Sequence, residues 1–165
     1  MLLKKRKKQK GFTLIEAMIV VVIVGVIATM SVGSFDRFIK HQKLKIEGRD
    51  LISNLRLTRS YAVARKVPYG IHFDHNNQQY IIFKDVVSLS SYTYDSGDSV
   101  IKSKPLPNNL YFWGDFPNNV VVYLPNGSAS SSGSVYFYSS EIYETLTANV
   151  LGSTGRARLT EGYGG

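Results

Sequence analysis

The side chains able to do chemistry are few and scattered along the chain. His72, Asp74 and His75 stand together in His-Phe-Asp-His, a grouping that could suggest metal ligation. In a strand His72 and Asp74 share a face, whereas His75 falls in the following turn and no third ligand is evident, so the segment reads as the solvated end of a hairpin. Serine is abundant, yet no Ser-His-acid grouping has the context of a nucleophile, and no glycine-rich phosphate loop leads from a strand into a helix. The chain has no cysteine, which removes disulfides and Cys-based zinc or redox centres. The expectation is therefore a protein that is not an enzyme and carries no cofactor and no metal. Two charged features remain to be explained: Glu16, alone at the start of an apolar run, and the arginine pair Arg156 and Arg158 near the C-terminus.

The elements that must position these residues follow from charge and periodicity. At 165 residues and 44% hydrophobic content the chain suits one domain with a core of its own. Its formal charge of +8 is concentrated at the start, where Lys4, Lys5, Arg6, Lys7, Lys8 and Lys10 cluster. Beyond residue 11, fourteen basic groups face twelve acidic ones, so basicity describes the leader and not the body. From Ala17 to Phe35 no charge occurs, which is about the ~20 residues that a helix needs to cross a bilayer. The basic cluster before that run should stay cytoplasmic, sending the rest of the chain across the membrane. A secretory signal cut after Ser31-Val32-Gly33, releasing a soluble enzyme that begins at Ser34, is the other possibility. Such a signal has no need of Glu16, since an acid within an apolar segment raises the cost of insertion.

Beyond the apolar run, Leu44, Gly48, Leu51, Leu55, Thr58 and Ala62 recur at helical steps and form one apolar or small face. The helix should run from Phe12 to about Lys66, since Pro68 disfavours helical geometry in the residue before it. The period then changes to two. Tyr69 to Asp74 and Tyr80 to Lys84 read as a hairpin, with further strands at Ser99 to Lys102, Leu110 to Trp113, Val120 to Leu124, Val135 to Tyr138, Thr147 to Leu151 and Arg156 to Leu159. Pro125-Asn126-Gly127 marks a turn, and Ser128 to Gly133 a small-residue loop. The expected fold class is α+β: a long N-terminal helix packed on an antiparallel sheet or two.

Lys10-Gly11-Phe12-Thr13-Leu14-Ile15-Glu16, between a basic leader and an apolar run, resembles the class III signal of type IV pilins and of the pseudopilins of type II secretion. The helix motif Arg49-Asp50-Leu51-Ile52-Ser53-Asn54-Leu55, followed by Thr58-Arg59-Ser60-Tyr61-Ala62, is similar to that of the GspH/FimT group of minor pilins and pseudopilins. So are Val122-Tyr123-Leu124-Pro125-Asn126-Gly127, Gly133-Ser134-Val135-Tyr136-Phe137 and the ending Gly155-Arg156-Ala157-Arg158. The segment from Val86 to Pro117 matches no part of that pattern. Gly33 stands near the place where major pilins commonly carry a proline, a departure that suits a minor subunit or pseudopilin.

The resemblance implies a processing route. Prepilin peptidase cuts after Gly11 and methylates the new terminus at Phe12, so that residues 1–11 are a leader, 12–35 a membrane and filament-core helix, and 36–165 a periplasmic domain. Glu16 would then meet the amine of Phe12 in its own helix or in a neighbour's, and a paired carboxylate in a low-dielectric bundle fixes register. The implied partners are prepilin peptidase, other minor pilins or pseudopilins, the major pilin and the inner membrane, which a single pass would cross. The implied role is to initiate or cap a type IV pilus or type II secretion pseudopilus. On the FimT side of the group, a C-terminal Gly-Arg-x-Arg motif is associated with DNA uptake in natural transformation. Arg156 and Arg158 would share a strand face and could clamp the phosphates of double-stranded DNA bidentately, with Tyr163 available to stack on a base.

Overall fold

A computed structural model describes residues 11–87 and 90–162, with the side chains of residues 30–34 outside the description. The basic leader and Tyr163 lie outside the described residues. The chain divides into two compact units, Met1–Phe38 and Ile39–Gly165.

The first unit contains the start of α1 (Leu14–Arg65). Thr13 caps the helix: its Oγ1 accepts the Glu16 N–H at 3.3 Å, satisfying one of the donors that a helix start leaves open. Within this unit the large apolar side chains are exposed, Phe12 at 79% and Val22 at 65% among them. Phe35 and Phe38, one turn apart, stack at 6.5 Å. Among the described residues no helix is long and apolar enough to cross a membrane by itself. The run expected to span includes residues 30–34, whose side chains are not among them.

In the second unit the helical stripe does what its spacing predicts. Leu44, Gly48, Leu51, Leu55, Thr58 and Ala62 are all buried, and their apolar members join one core with residues of both sheets. Gly48 allows a close approach: a Cβ there would come within 3.1 Å of Leu159 and 3.3 Å of Leu146, and both leucines would have to give way.

Eight strands follow: β1 (Tyr69–Asp74), β2 (Gln79–Lys84), β3 (Ser99–Pro105), β4 (Leu110–Gly114), β5 (Val120–Tyr123), β6 (Gly133–Ser139), β7 (Glu144–Leu151) and β8 (Arg156–Gly162). They form two four-stranded antiparallel sheets, ordered β3-β2-β1-β5 and β4-β6-β7-β8. β4 thus joins the second sheet, while β5 returns to pair with β1.

Polar groups fasten α1 to the first sheet. Lys104 of β3 lies 2.6 Å from both Glu47 and Asp50, and Lys102 donates to Asn54 Oδ1 at 3.2 Å. Asn54, 4% exposed, donates in turn to Asp50 and to the Tyr80 hydroxyl. Burial alone would raise the Asp50 pKa, but hydrogen bonds from Lys104 and Tyr80 and the lysine charge hold it below its ordinary 3.8. Burial likewise opposes the charge on Lys104, and its two carboxylates overcome this and raise its pKa. β3 is an edge strand whose pairing with β2 shifts register at Ile82/Phe83 and which ends at Pro105.

The other face of the first sheet is covered by the chain between β2 and β3. The buried carboxylate of Asp98 accepts the N–H groups of Val86, Val87 and Asp95, and Tyr92 and Tyr94 pack over Phe83, Val120 and Val122. This corrects the expectation of a solvated His-Phe-Asp-His end. His72 is partly buried and stacks on Tyr94 at 5.0 Å, and His75 meets Phe112 edge-on at 5.4 Å. Burial, with a small addition from His75, lowers the His72 pKa against the opposing charge of Asp74. Only the turn residues Asn76 and Asn77 are fully exposed.

Candidate functional sites

At the N-terminus Gly11 and Phe12 are exposed and precede the first helical residue, Leu14. Glu16 is exposed in the first turn. Thr13-Leu14-Ile15-Glu16 has the spacing of a capping box, and the structure contains its hydroxyl half. That signal was present in the sequence and gives Thr13 and Glu16 a local role beside any intermolecular one.

At the other end, Arg156 and Arg158 are exposed and flank buried Ala157, so both guanidinium stems leave the same face of β8. β8 is the edge of the second sheet, and α1 lies beside it. Lys45, Arg49 and Arg56 of α1 line a groove of about 600 Å³ together with Arg158. A second groove of about 450 Å³ is bordered by Arg56, Arg59, Arg156 and Arg158. Arg56 and Arg158 belong to both, so the two form one trough with cations on each wall. The single acid lining it, Glu161, is held 2.8 Å from Lys45, whose hydrogen bond and charge lower the Glu161 pKa. Arg49, Arg56, Arg156 and Arg158 make no ion pair or side-chain hydrogen bond among the described residues. Several like charges gathered about one carboxylate, itself paired with Lys45, leave a positive field in a concave surface, a setting that attracts anions. Sequence reasoning found the strand pair and missed the helix pair, whose members are brought to β8 only by folding.

Arg59 does a different job. Its Nε donates to the Gly127 carbonyl at 2.8 Å, tying the helix to the turn after β5. Gly155, at φ +62°, passes so near that a Cβ would lie 2.2 Å from that same carbonyl and 3.0 Å from Arg59 Nε. The helix motif, the Pro125-Asn126-Gly127 turn and the glycine before Arg156 therefore meet at one clasp. It sets where β8 begins, and with it where the two arginines emerge.

Residues 6–32 match the family model for the prokaryotic N-terminal methylation motif, and residues 47–156 match that for type II transport protein GspH. No curated protein matches the chain by sequence. Among solved structures, the minor pseudopilin EpsH from the type 2 secretion system of Vibrio cholerae is similar at a TM-score of 0.59 and 13% identity, covering 72% of this chain and 97% of that one. The type IV minor pilin FimU of Pseudomonas aeruginosa gives 0.58 and 13%, covering 74% of this chain and 92% of that one. At such identity the likeness concerns the fold, a long N-terminal helix packed on antiparallel sheets. The methylation motif and the GspH domain on one chain define a pilin-like subunit, one that prepilin peptidase processes and that assembles with other pilins. The chain belongs to the GspH family of type II transport proteins.

Proposed function

We propose that this protein is cut after Gly11, methylated at Phe12, held in the inner membrane by a single pass of residues 12–35, and displays residues 36–165 in the periplasm until it joins a filament as an initiating or capping subunit. The observation that carries this reading is the methylation motif at 6–32 directly ahead of a GspH domain at 47–156 on one chain. Glu16 serves docking: exposed and near the helix start, its carboxylate is available to a neighbouring subunit's methylated amine. Mass spectrometry of the chain coexpressed with prepilin peptidase should find methylated Phe12 at the terminus. A terminus at Ser34 would instead support a secreted protein released from an ordinary signal. Glu16→Ala should remain in the membrane and be lost from filaments; normal incorporation would remove the docking role.

The arginine trough favours a second reading, capture of double-stranded DNA through Arg156 and Arg158 as a subunit of a DNA-uptake pilus. Cations in excess on one concave surface suit a phosphate backbone, and affinity should fall with salt as counterions are released. Anisotropy titration of the full chain in nonionic detergent with a labelled duplex tests it. Binding that weakens with salt and is lost in Arg156→Ala/Arg158→Ala supports the reading, and no binding at low salt removes it.

A further inference from the structure

We infer that the trough and the adjoining outer face of the second sheet hold a single strand of nucleic acid, its phosphates between α1 and β8 and its bases turned onto the aromatic side chains of β4 and β6. This rests on the reading of the trough as a nucleic-acid site and departs from the duplex reading above in the form of the ligand, a single strand in place of a duplex. Two observations carry it.

The first is that the trough has two cationic walls. Lys45 of α1 touches Glu161 of β8, and Leu159 packs on Gly48, so the walls stand one packing layer apart, about 10 Å. A duplex offers its phosphates only outward, with base pairs behind them, and meets one wall at a time. A lone strand offers phosphate oxygens all round and can be held from both sides. On β8 the two arginines are two residues apart, about 6.8 Å, a spacing suited to consecutive phosphates of an extended strand. Arg49 and Arg56, seven residues apart on α1, span about 10.5 Å of the opposite wall.

The second is the outer face of the sheet that carries β8. Arg158 also borders a recess of about 290 Å³ with Asn149 on that face, so the trough opens onto it. There Trp113, 45% exposed on edge strand β4, stacks on Tyr136 of β6 at 5.5 Å and 18°, and Tyr111 pairs with Tyr138 beside them. Arg158 is paired with Asn149, which is paired with Ser134, two residues from Tyr136 along β6. Strand spacing and rise put Tyr136 about 12 Å from Arg158 along the sheet, a stride or two of an extended strand. Stacking on such a platform is open only to unpaired bases. Between these features the surface carries Thr145, Thr147 and Thr160, and the acid beside them is Asp115, exposed two residues beyond Trp113, whose carboxylate accepts the Ser134 N–H.

Trp113 is the only tryptophan of the chain, so its fluorescence reports on the proposed platform. The full chain in nonionic detergent should be titrated with oligothymidylate, with its duplex with oligoadenylate, and with inorganic polyphosphate. The expected result is tighter binding of the single strand than of the duplex, quenching of Trp113 by the single strand alone, and a loss of about tenfold or more in Arg49→Ala/Arg56→Ala, with a salt slope smaller by about 1.4. Lys43→Ala, exposed on α1 outside the trough, should bind as the parent does, and unchanged thermal midpoints exclude a folding defect. Equal or tighter binding of duplex, unquenched Trp113, or undiminished binding in the helix variant overturns the inference while leaving the DNA reading in place. Polyglutamate competing as well as oligothymidylate also overturns it, in favour of an acidic protein segment. Absence of binding to any of the polyanions at low salt removes both the inference and the reading beneath it.

Discussion

One helix serves two units, and its apolar residues have opposite fates in them. In the first unit Phe12 and Val22 are largely exposed, while in the second Leu44, Leu51 and Leu55 have no exposure at all. The arrangement of residues explains the difference. The early run is apolar on all sides, as a helix must be when its surroundings are to be lipid or other helices. The later stretch confines its apolar residues to one stripe and gives the other faces to charge. The first part therefore leaves its hydrophobic surface uncovered, and the second spends its stripe on a core of its own.

Substitutions can break or sharpen that contrast. The largest effect is expected at the stripe: Leu55→Ala should lower the unfolding free energy by about 2–5 kcal/mol in urea titration, whereas Val22→Ala in detergent should leave the midpoint unchanged. Gly155→Ala comes next, at about 1–3 kcal/mol, because its φ is positive and a Cβ would meet the Gly127 carbonyl. Arg59→Ala would show whether that clasp also governs polyanion binding, through the position of β8.

Lys104→Ala should follow at about 2 kcal/mol, since it leaves Glu47 and Asp50 without their shared cation. The same contact sets a pH window. Asp50 titrates below its ordinary 3.8 in the folded chain, so its contribution is complete above that value and is lost as pH falls through the folded pKa. Lys104 titrates above its ordinary 10.5, so its contribution holds through neutrality and fades only as pH rises past that range. His72, with a lowered pKa, adds a loss of stability beginning below 6.5 as pH falls. Thermal midpoints across pH should show the acid loss flattened in Lys104→Ala. The smallest effect belongs to the first unit: Thr13→Ala should cost about 1 kcal/mol of helix-start stability, seen as faster amide exchange at Glu16 with the global midpoint unmoved.

The strands and the helical stripe were legible because local periodicity decides them. Tyr69–Asp74 fell where alternation put it, and Pro68 ended the helix within a residue or two of Arg65. Sheet membership was not legible, because alternation tells a strand which face is buried without naming its neighbour. Nothing in Leu110–Gly114 says that it pairs with β6 while the next strand returns to β1. His72 was misjudged for a related reason: its cover, Tyr94, lies in the segment from Val86 to Pro117 that matched no known pattern. At the candidate sites the N-terminal motif could be read directly, since its residues are contiguous. The trough could not, since Arg56 and Arg158 become neighbours only when β8 docks along α1.

The edge strand β3 carries a further consequence. Its two lysines reach back to α1 instead of outward, its pairing is interrupted at Ile82/Phe83, and it closes on a proline. Each of these features makes it a poor template for a visiting strand. The first sheet is thereby kept from extending edge to edge into another copy of itself, so that any contact between copies falls to other surfaces.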